Sequence, residues 1–186
     1  MTYTAVPALN REPATPCDRA ATAVVLGVAS ALWLTWGSQD LPQSWRTPVA
    51  VIAYFGLLLG LMAGALAWRR RSTGSAMADA EGRARYGKAV LAEAVAIVAG
   101  IAVLAATGQA AYLSAWILLV VGVHFLPLAR LFRLLELQVC GALLVAVAGA
   151  AIVAGATGAV RPGAIAGGIG GLLMIAFGIA CLSPRR

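Results

Sequence analysis

The chain has few charged residues and a single histidine. Charged side chains make up 11% of its 186 residues, whereas hydrophobic residues make up 61%. A water-soluble domain has about a quarter of its residues charged. This composition excludes an ordinary soluble domain and predicts a protein whose solvent is lipid.

Motifs of the common enzyme classes are also absent from the sequence. One histidine cannot build a His-rich metal or haem site, and no Ser-His-Asp set, HExxH motif or phosphate-binding glycine loop occurs in the context that it requires. The glycines of "GAIAGGIGG" lie within an apolar run with no preceding strand. We therefore predict a non-enzymatic protein that needs no metal or cofactor.

Cysteine is scarce. Cys17, Cys140 and Cys181 form neither an even set nor a CxxC pair. Because the topology predicted below puts Cys17 and Cys181 near the cytoplasmic side, where thiols stay reduced, no disulfide is expected.

Long apolar runs, by contrast, are abundant. They cover residues 20–37, 48–68, 88–106, 110–126, 137–156 and 162–182, and about 20 residues suffice to cross a hydrocarbon layer of roughly 30 Å. In lipid each segment must satisfy its own backbone hydrogen bonds, so the runs are predicted to be helical. The predicted fold is an all-α polytopic membrane protein with six transmembrane helices in three hairpins.

Polar tails and a basic loop lie outside these runs. Residues 1–19 are a predicted N-terminal tail, 69–87 a basic loop and 183–186 a C-terminal tail. The basic loop has no hydrophobic periodicity, which favours a mobile connection, with a lipid or regulatory contact as the alternative. A cleaved signal peptide is the alternative for the first run, but Trp33 and Trp36 stand where a cleavage site needs small residues.

The basic residues are distributed unevenly between the two sides. Twelve of the fourteen Lys and Arg residues fall on one side of the predicted topology, and only Arg46 and Arg161 on the other. The positive-inside rule then places both termini and the basic loop in the cytoplasm. We predict membrane lipids, and no nucleic acid, as partners of these residues. Thirteen arginines to one lysine, with abundant Ala and Gly, is typical of GC-rich coding and favours a bacterial inner membrane.

Glycines recur every fourth residue in two of the runs. They are Gly56, Gly60 and Gly64 in the second run, and Gly163, Gly167 and Gly171 in the sixth. This spacing puts them on one helix face, where a neighbouring backbone can approach closely. We interpret them as helix-packing residues, with self-association, a larger membrane complex or chance in a glycine-rich sequence as alternatives.

Hairpins two and three resemble one another. The stretch "AIVAGIAVLAATG" in the third run is similar to "AVAGAAIVAGATG" in the fifth, and both end in a Thr-Gly turn. A parallel internal repeat and a shared low-complexity composition explain this equally well.

Two ionisable residues lie within the runs, where they are costly and therefore candidates for function. Glu93 is predicted about 7–8 Å inside the cytoplasmic boundary and His124 about 9 Å, at about 1.5 Å per residue. If they face one another, the carboxylate would balance an imidazolium, as a proton-coupled or pH-sensing site requires. The alternative is that each bonds to a neighbouring helix or reaches the head groups by itself.

Pro127 follows the histidine and predicts the end of the fourth helix near Leu126, because proline lacks an N–H and clashes with the preceding turn. The stretch "PLARLFRLLEL" then has its apolar residues on one helix face and its charged residues on the other, which is typical of a short interfacial helix. His124 would lie in the last turn of the fourth helix, close to a cytoplasmic surface helix. The candidate proton-sensitive site comprises His124, Glu93, Glu136 and Arg130.

The stretch "VGVHFLPLARLF" resembles a motif of small, uncharacterised bacterial multi-helix membrane proteins, in which a His-Phe-(Leu/Phe)-Pro-Leu-Ala string ends one helix. In this sequence the motif covers residues 124–129. The resemblance implies membership of that family and no particular activity. In size and six-helix layout the chain is also similar to acid-stress membrane proteins of the HdeD type, and more loosely to the substrate-binding components of vitamin transporters, an architectural likeness that does not by itself assign a function.

The sequence thus predicts a non-enzymatic bacterial inner-membrane protein with a structural, accessory or stress-related role. The alternative function is a small transporter or transporter subunit with a pH-sensitive Glu/His site on its cytoplasmic side.

Overall fold

The computed structural model describes residues 14–183 of the chain. Within this range six α-helices are long and apolar enough to cross a membrane, and no strand occurs. They are α1 (Pro16–Ser38), α2 (Gln43–Arg69), α3 (Ala80–Ala106), α4 (Leu113–Phe132), α5 (Leu135–Ala156) and α6 (Pro162–Leu182). The predicted all-α polytopic class is confirmed; residues 1–13 and 184–186 of the predicted tails lie outside the described range.

Most basic residues gather at the end of the bundle where α1, α3 and α5 begin, which we call the basic end. The described members of this group are Arg19, Arg69, Arg70, Arg71, Arg83, Arg85, Lys88, Arg130 and Arg133. Arg46 and Arg161 lie at the opposite end.

Two helices begin earlier in the chain than hydropathy predicts, because polar residues cap their first turns. At α1 the Thr15 hydroxyl accepts a hydrogen bond of 3.0 Å from the Asp18 N–H. At α3 the Asp79 carboxylate accepts one of 2.6 Å from the Gly82 N–H. Such caps satisfy backbone donors that a helix start leaves free, so α1 begins at Pro16 rather than residue 20, and α3 at Ala80 rather than residue 88.

The segment before α3 is attached to α1. The buried Asp18 carboxylate accepts hydrogen bonds from the Ser75 hydroxyl, at 2.6 Å, and from the Ala76 N–H, at 2.9 Å. The Thr15 hydroxyl donates to the Gly74 carbonyl oxygen at 3.0 Å. The prediction of a mobile connection over 69–87 is therefore wrong for residues 74–76, because a buried carboxylate needs donors and this part of the loop supplies them.

Glycines bring the backbones of α1 and α2 into contact. A methyl group added at Gly27 would lie 2.5 Å from the Gly60 backbone nitrogen. One added at Gly56 would overlap the Ser30 hydroxyl, whereas one at Gly64 would meet its nearest neighbour only at 3.9 Å. Dispersion attraction and weak Cα–H contacts grow as two backbones approach, so small residues stabilise this pairing.

The glycines of α6 lie against the opposite side of α1. A methyl group at Gly37 would lie 2.7 Å from the Gly167 Cα, and one at Gly171 would lie 2.6 Å from Leu34 Cγ. Gly163 packs beneath a carboxylate in the loop after α1. Both predicted glycine rows thus face α1 within one chain.

The fourth helix passes through Pro127 without ending. α4 continues to Phe132, the chain turns at Arg133 in the left-handed region (φ 55°), and α5 begins at Leu135. The predicted end near Leu126 and the separate interfacial helix are therefore wrong. Proline removes one backbone hydrogen bond, but Leu128 and Phe132 beyond it are buried in the core, and the dispersion contacts of these packed side chains stabilise the helix past the proline.

α3 is the least embedded helix. It packs against α4, whereas α5, its counterpart in the similar hairpin, packs against both α4 and α6. Gly82 and Gly100 are its only buried residues. The two hairpins share their Thr-Gly turns, with Gly108 and Gly158 both at φ 70°, but their helices occupy different environments.

Gly27→Ala should lower the free energy of unfolding by about 1–3 kcal/mol, because the new methyl group meets backbone that cannot move aside without separating α1 from α2. The matched control is Gly149→Ala in α5, where nothing lies within 4 Å of the added carbon. The control should leave stability unchanged or slightly raised, since alanine favours helix. Unfolding in detergent, followed by circular dichroism, measures both; equal effects would contradict the close α1–α2 contact.

Candidate functional site

Glu93 and His124 meet between α3 and α4. The His124 Nε2 atom lies 3.5 Å from the Glu93 Oε2 atom. The histidine is buried and the Glu93 side chain is 22% exposed. Of the four predicted site residues, these two are in contact.

The second nitrogen of His124 determines how many protons the pair holds. Nδ1 lies 3.2 Å from the Ala89 carbonyl oxygen, and a carbonyl oxygen can only accept a hydrogen bond, so Nδ1 is the donor. Nε2 and the carboxylate can then form a hydrogen bond only if one further proton lies on either of them. A proton on either atom would join the two side chains by a hydrogen bond across this 3.5 Å separation.

Both residues lie further from the helix ends than the predicted boundaries imply. Glu93 is thirteen residues from either end of α3, and His124 is eleven residues from the start of α4 and eight from its end. The predicted position of His124 in the last turn is wrong because α4 continues beyond Pro127. At about 1.5 Å per residue, the histidine lies roughly 12 Å before the helix end.

A second polar contact between α3 and α4 lies two turns along. The Trp116 indole N–H donates to the Ala96 carbonyl oxygen at 3.2 Å, and the indole covers Gly100, where any side chain would overlap it. Ala89, Ala96 and Gly100 are small, so α4 side chains can reach the backbone of α3. Hydrogen bonds thus supplement sparse apolar packing in holding α3.

Two cavities adjoin the Glu93–His124 pair. One, of about 430 Å³, is almost wholly apolar and is lined by Trp116, Val120 and Val123. The other, of about 340 Å³, lies between α1, α3 and α4 and is lined by aromatic residues as well as the pair itself. The pair is therefore accessible from the space on either side of the α3–α4 contact.

The other two predicted site residues lie elsewhere. Glu136, at the start of α5, accepts a hydrogen bond of 2.9 Å from Arg19. Arg130 lines a separate pocket of about 280 Å³ with Arg85 and Pro127. The structure does not bring Glu136 or Arg130 to Glu93.

Asp18 and Arg19 form a polar cluster at the basic end that the sequence analysis missed. Arg19 is 9% exposed; besides Glu136 it donates to the carbonyl oxygens of Ala180, at 3.0 Å, and Ser183, at 3.1 Å. It thereby satisfies free carbonyls at the end of α6. The available signal was the Thr-Pro start followed by adjacent opposite charges in "TPCDRA", which is typical of a capped helix start rather than a tail.

The described residues contain no group of three or more His, Cys, Asp or Glu side chains arranged to hold a metal ion. No protein-family model, curated protein or solved structure significantly matches this chain. Function has to be inferred from the geometry of the chain itself.

Arg19→Ala should lower the free energy of unfolding by about 2 kcal/mol, because it removes three hydrogen bonds with a charged donor in a largely buried setting. The matched control is Arg85→Ala, whose partner Glu81 is one turn away and whose side chain is 67% exposed. Exposed pairs of this kind contribute little, so the control should remain close to wild type in the same unfolding measurement. A wild-type stability for Arg19→Ala would contradict the role of this cluster.

Proposed function

We propose that this protein is a small, non-enzymatic, proton-coupled transporter, or the membrane subunit of one, with the Glu93–His124 pair as its proton-binding site. The observation that carries the proposal is the 3.5 Å contact between these side chains midway along two helices. Ionisable residues at such positions are costly and mark ion and proton pathways in membrane proteins.

The pair supports proton coupling through its two possible states. With its extra proton, it is either an imidazolium next to a carboxylate or an imidazole next to a carboxylic acid, and both are neutral overall. Without that proton, the Nε2 lone pair of His124 faces the negative charge of Glu93. Since the described contacts give Glu93 no other ion-pair partner, losing the proton removes the attraction between the two side chains.

This loss affects the attachment of α3 to the bundle. The helix buries only two of its residues, so the contacts made by His124 and Trp116 are a large part of what holds it to α4. A weakly packed helix is among the less stable elements of a fold, and it can shift when a contact is lost. Movement of α3 upon deprotonation would change access to the cavities on its two sides.

A second candidate is an accessory, structural or stress-related role in a larger membrane complex, and the outward face of α2 favours it. Large apolar side chains there are more than half exposed: Tyr54, Phe55, Leu58, Leu61 and Met62. Lipid covers such a face in any membrane protein, and a protein partner with a complementary surface would cover it equally well.

The proposed location is the bacterial cytoplasmic membrane, with both termini in the cytoplasm. Nine described Lys and Arg residues at the basic end against two at the other support this orientation through the positive-inside rule. The same residues lie where anionic lipid head groups would contact them.

The proton site can be observed directly because His124 is the only histidine in the chain. In protein labelled with ¹⁵N-histidine, carrying a histidine-free affinity tag and placed in lipid nanodiscs, the ¹⁵N shifts show which ring nitrogen carries a proton. Nδ1 should stay protonated, while Nε2 should lose the shared proton as the pH is raised. Glu93→Gln should change the protonation of Nε2, because the carboxylate that shares its proton is lost, whereas Glu81→Gln, on the exposed first turn of the same helix, should leave it unchanged. A wild-type imidazole that does not titrate would contradict the proposal.

Transport is tested in proteoliposomes with an imposed pH gradient and a labelled panel of organic cations, anions and neutral amphiphiles. Saturable uptake is expected for one class, reduced at least about ten-fold in Glu93→Gln and His124→Ala and retained in Glu81→Gln. Absence of flux, together with co-purification in a larger membrane complex, would favour the accessory role.

The orientation is tested by cysteine labelling in intact bacterial cells, in a background with Cys17, Cys140 and Cys181 replaced by serine. Ser72→Cys and Ala159→Cys are at opposite ends of the bundle and both are exposed. A membrane-impermeant maleimide should label Ala159→Cys and leave Ser72→Cys unlabelled until the cells are opened. The reverse pattern would contradict cytoplasmic termini.

A further inference from the structure

The cleft of about 340 Å³ lies between α1 and α3, with α4 as its floor. α1 and α3 have no extensive contact with each other, and the cleft lies between them. Its volume falls within the range of small-molecule pockets, about 300–1,000 Å³.

Aromatic rings form much of the cleft wall. Trp33 comes from α1, Tyr86 from α3, and Phe125 and Phe132 from α4. The rings of Tyr86 and Phe132 are neighbours, with centroids 6.3 Å apart. The faces of aromatic rings carry partial negative charge and attract cations, most strongly where water is excluded.

Among the charged groups that line the cleft, Glu93 is the one available to a ligand. No Lys or Arg side chain lines the cleft. Asp18 lies at its basic end, but this carboxylate is 3% exposed and already accepts hydrogen bonds from Ser75 and Ala76. Glu93, by contrast, contacts only His124, which matches its negative charge only while the pair carries its extra proton.

We propose that this cleft binds a hydrophobic organic cation, with its charged centre at the Glu93 carboxylate and its apolar groups against the aromatic wall. The proposal rests on the proton site of the proposed function, and it adds the class of ligand and the manner of coupling. An anion would find no Lys or Arg side chain in the cleft, and a neutral lipid chain would leave the deprotonated Glu93 carboxylate without a counter-charge.

The cation and the extra proton compete for one carboxylate. When the cation binds, His124 keeps the proton on Nδ1 that it donates to Ala89 and stays neutral, while the extra proton leaves to water. One positive charge enters and one leaves, so the net charge of the site is unchanged. By thermodynamic linkage, cation affinity then rises with pH, at most ten-fold per pH unit for a one-for-one exchange.

The titratable groups facing Glu93 are few, which makes this linkage simple to assign. His124 faces it from α4, Asp18 lies at the cleft end on α1, and Tyr86 lies two turns away on α3 itself. A proton released when a cation binds at Glu93 is therefore the one shared by Glu93 and His124.

Binding of methyltriphenylphosphonium to the full chain in nanodiscs of neutral phosphatidylcholine tests the proposal, with neutral triphenylphosphine oxide as a ligand of almost the same shape. The cation should bind at least ten-fold more tightly at pH 8 than at pH 5.5. It should also release about one proton, measured by calorimetry in buffers of different ionisation enthalpy. The neutral analogue should bind more weakly, without pH dependence or proton release.

Variants identify the residues responsible. Glu93→Gln should weaken cation binding at pH 8 at least ten-fold, and Glu93→Asp, which keeps the charge, should retain part of the affinity. Glu81→Gln should bind as wild type does. Tyr86→Leu should weaken binding about three-fold through loss of one aromatic face, while Tyr54→Leu, exposed on α2, should have no effect.

Several outcomes would overturn the proposal. Equal binding of the two ligands, or cation binding that Glu93→Gln leaves intact, would show that only an apolar groove takes up the probe. Binding without pH dependence would exclude exchange with the proton. The ¹⁵N-histidine titration of the ligand-free protein separates the two levels: if His124 titrates but no cation binds, the ligand class is wrong while the proton site stands, and if it does not titrate, the proton site itself fails.

Discussion

Close contact between helix backbones holds this bundle together, and α1 is where it is concentrated. Gly27 lies against Gly60 of α2, and Gly37 lies against Gly167 of α6. In lipid no hydrophobic driving force brings helices together, so association depends on dispersion, hydrogen bonds and the absence of side chains where backbones meet. Arg19 adds hydrogen bonds to α5 and α6 at one end. The result is a tightly packed part of the molecule around α1.

α3 is held differently, and the proposed function depends on that difference. Its partner helix α4 reaches it through His124 and Trp116, which bond to backbone carbonyls and to one carboxylate. Such contacts are directional. Under the proposed function the contact between His124 and Glu93 depends on a proton, so the charge of the cleft between α1 and α3 would change with that proton. Glycine packing and polar attachment thus hold α1 and α3 by different means.

Two predictions failed for related reasons, since both relied on local signals that tertiary contacts outweighed. Pro127 marks a helix end by its chemistry, yet the burial of Leu128 and Phe132 carries α4 through it. Ser75 and Ala76 lie in a stretch with the composition of a free loop, yet the buried Asp18 binds them. Glu93 and His124 do lie side by side on antiparallel helices. Both lie further from the helix ends than the predicted boundaries implied.

The sequence by itself determined the solvent, the six helices and the two glycine faces, because hydropathy and four-residue spacing act along a single segment. It also singled out Glu93 and His124, because ionisable groups in apolar runs are costly wherever they point. Only the tertiary structure decided that they meet, that Glu136 pairs with Arg19 instead, and that a cleft with an aromatic wall lies beside them. These facts depend on the rotation of each helix about its axis and on the identity of its neighbours, which are set by packing between segments distant in the chain.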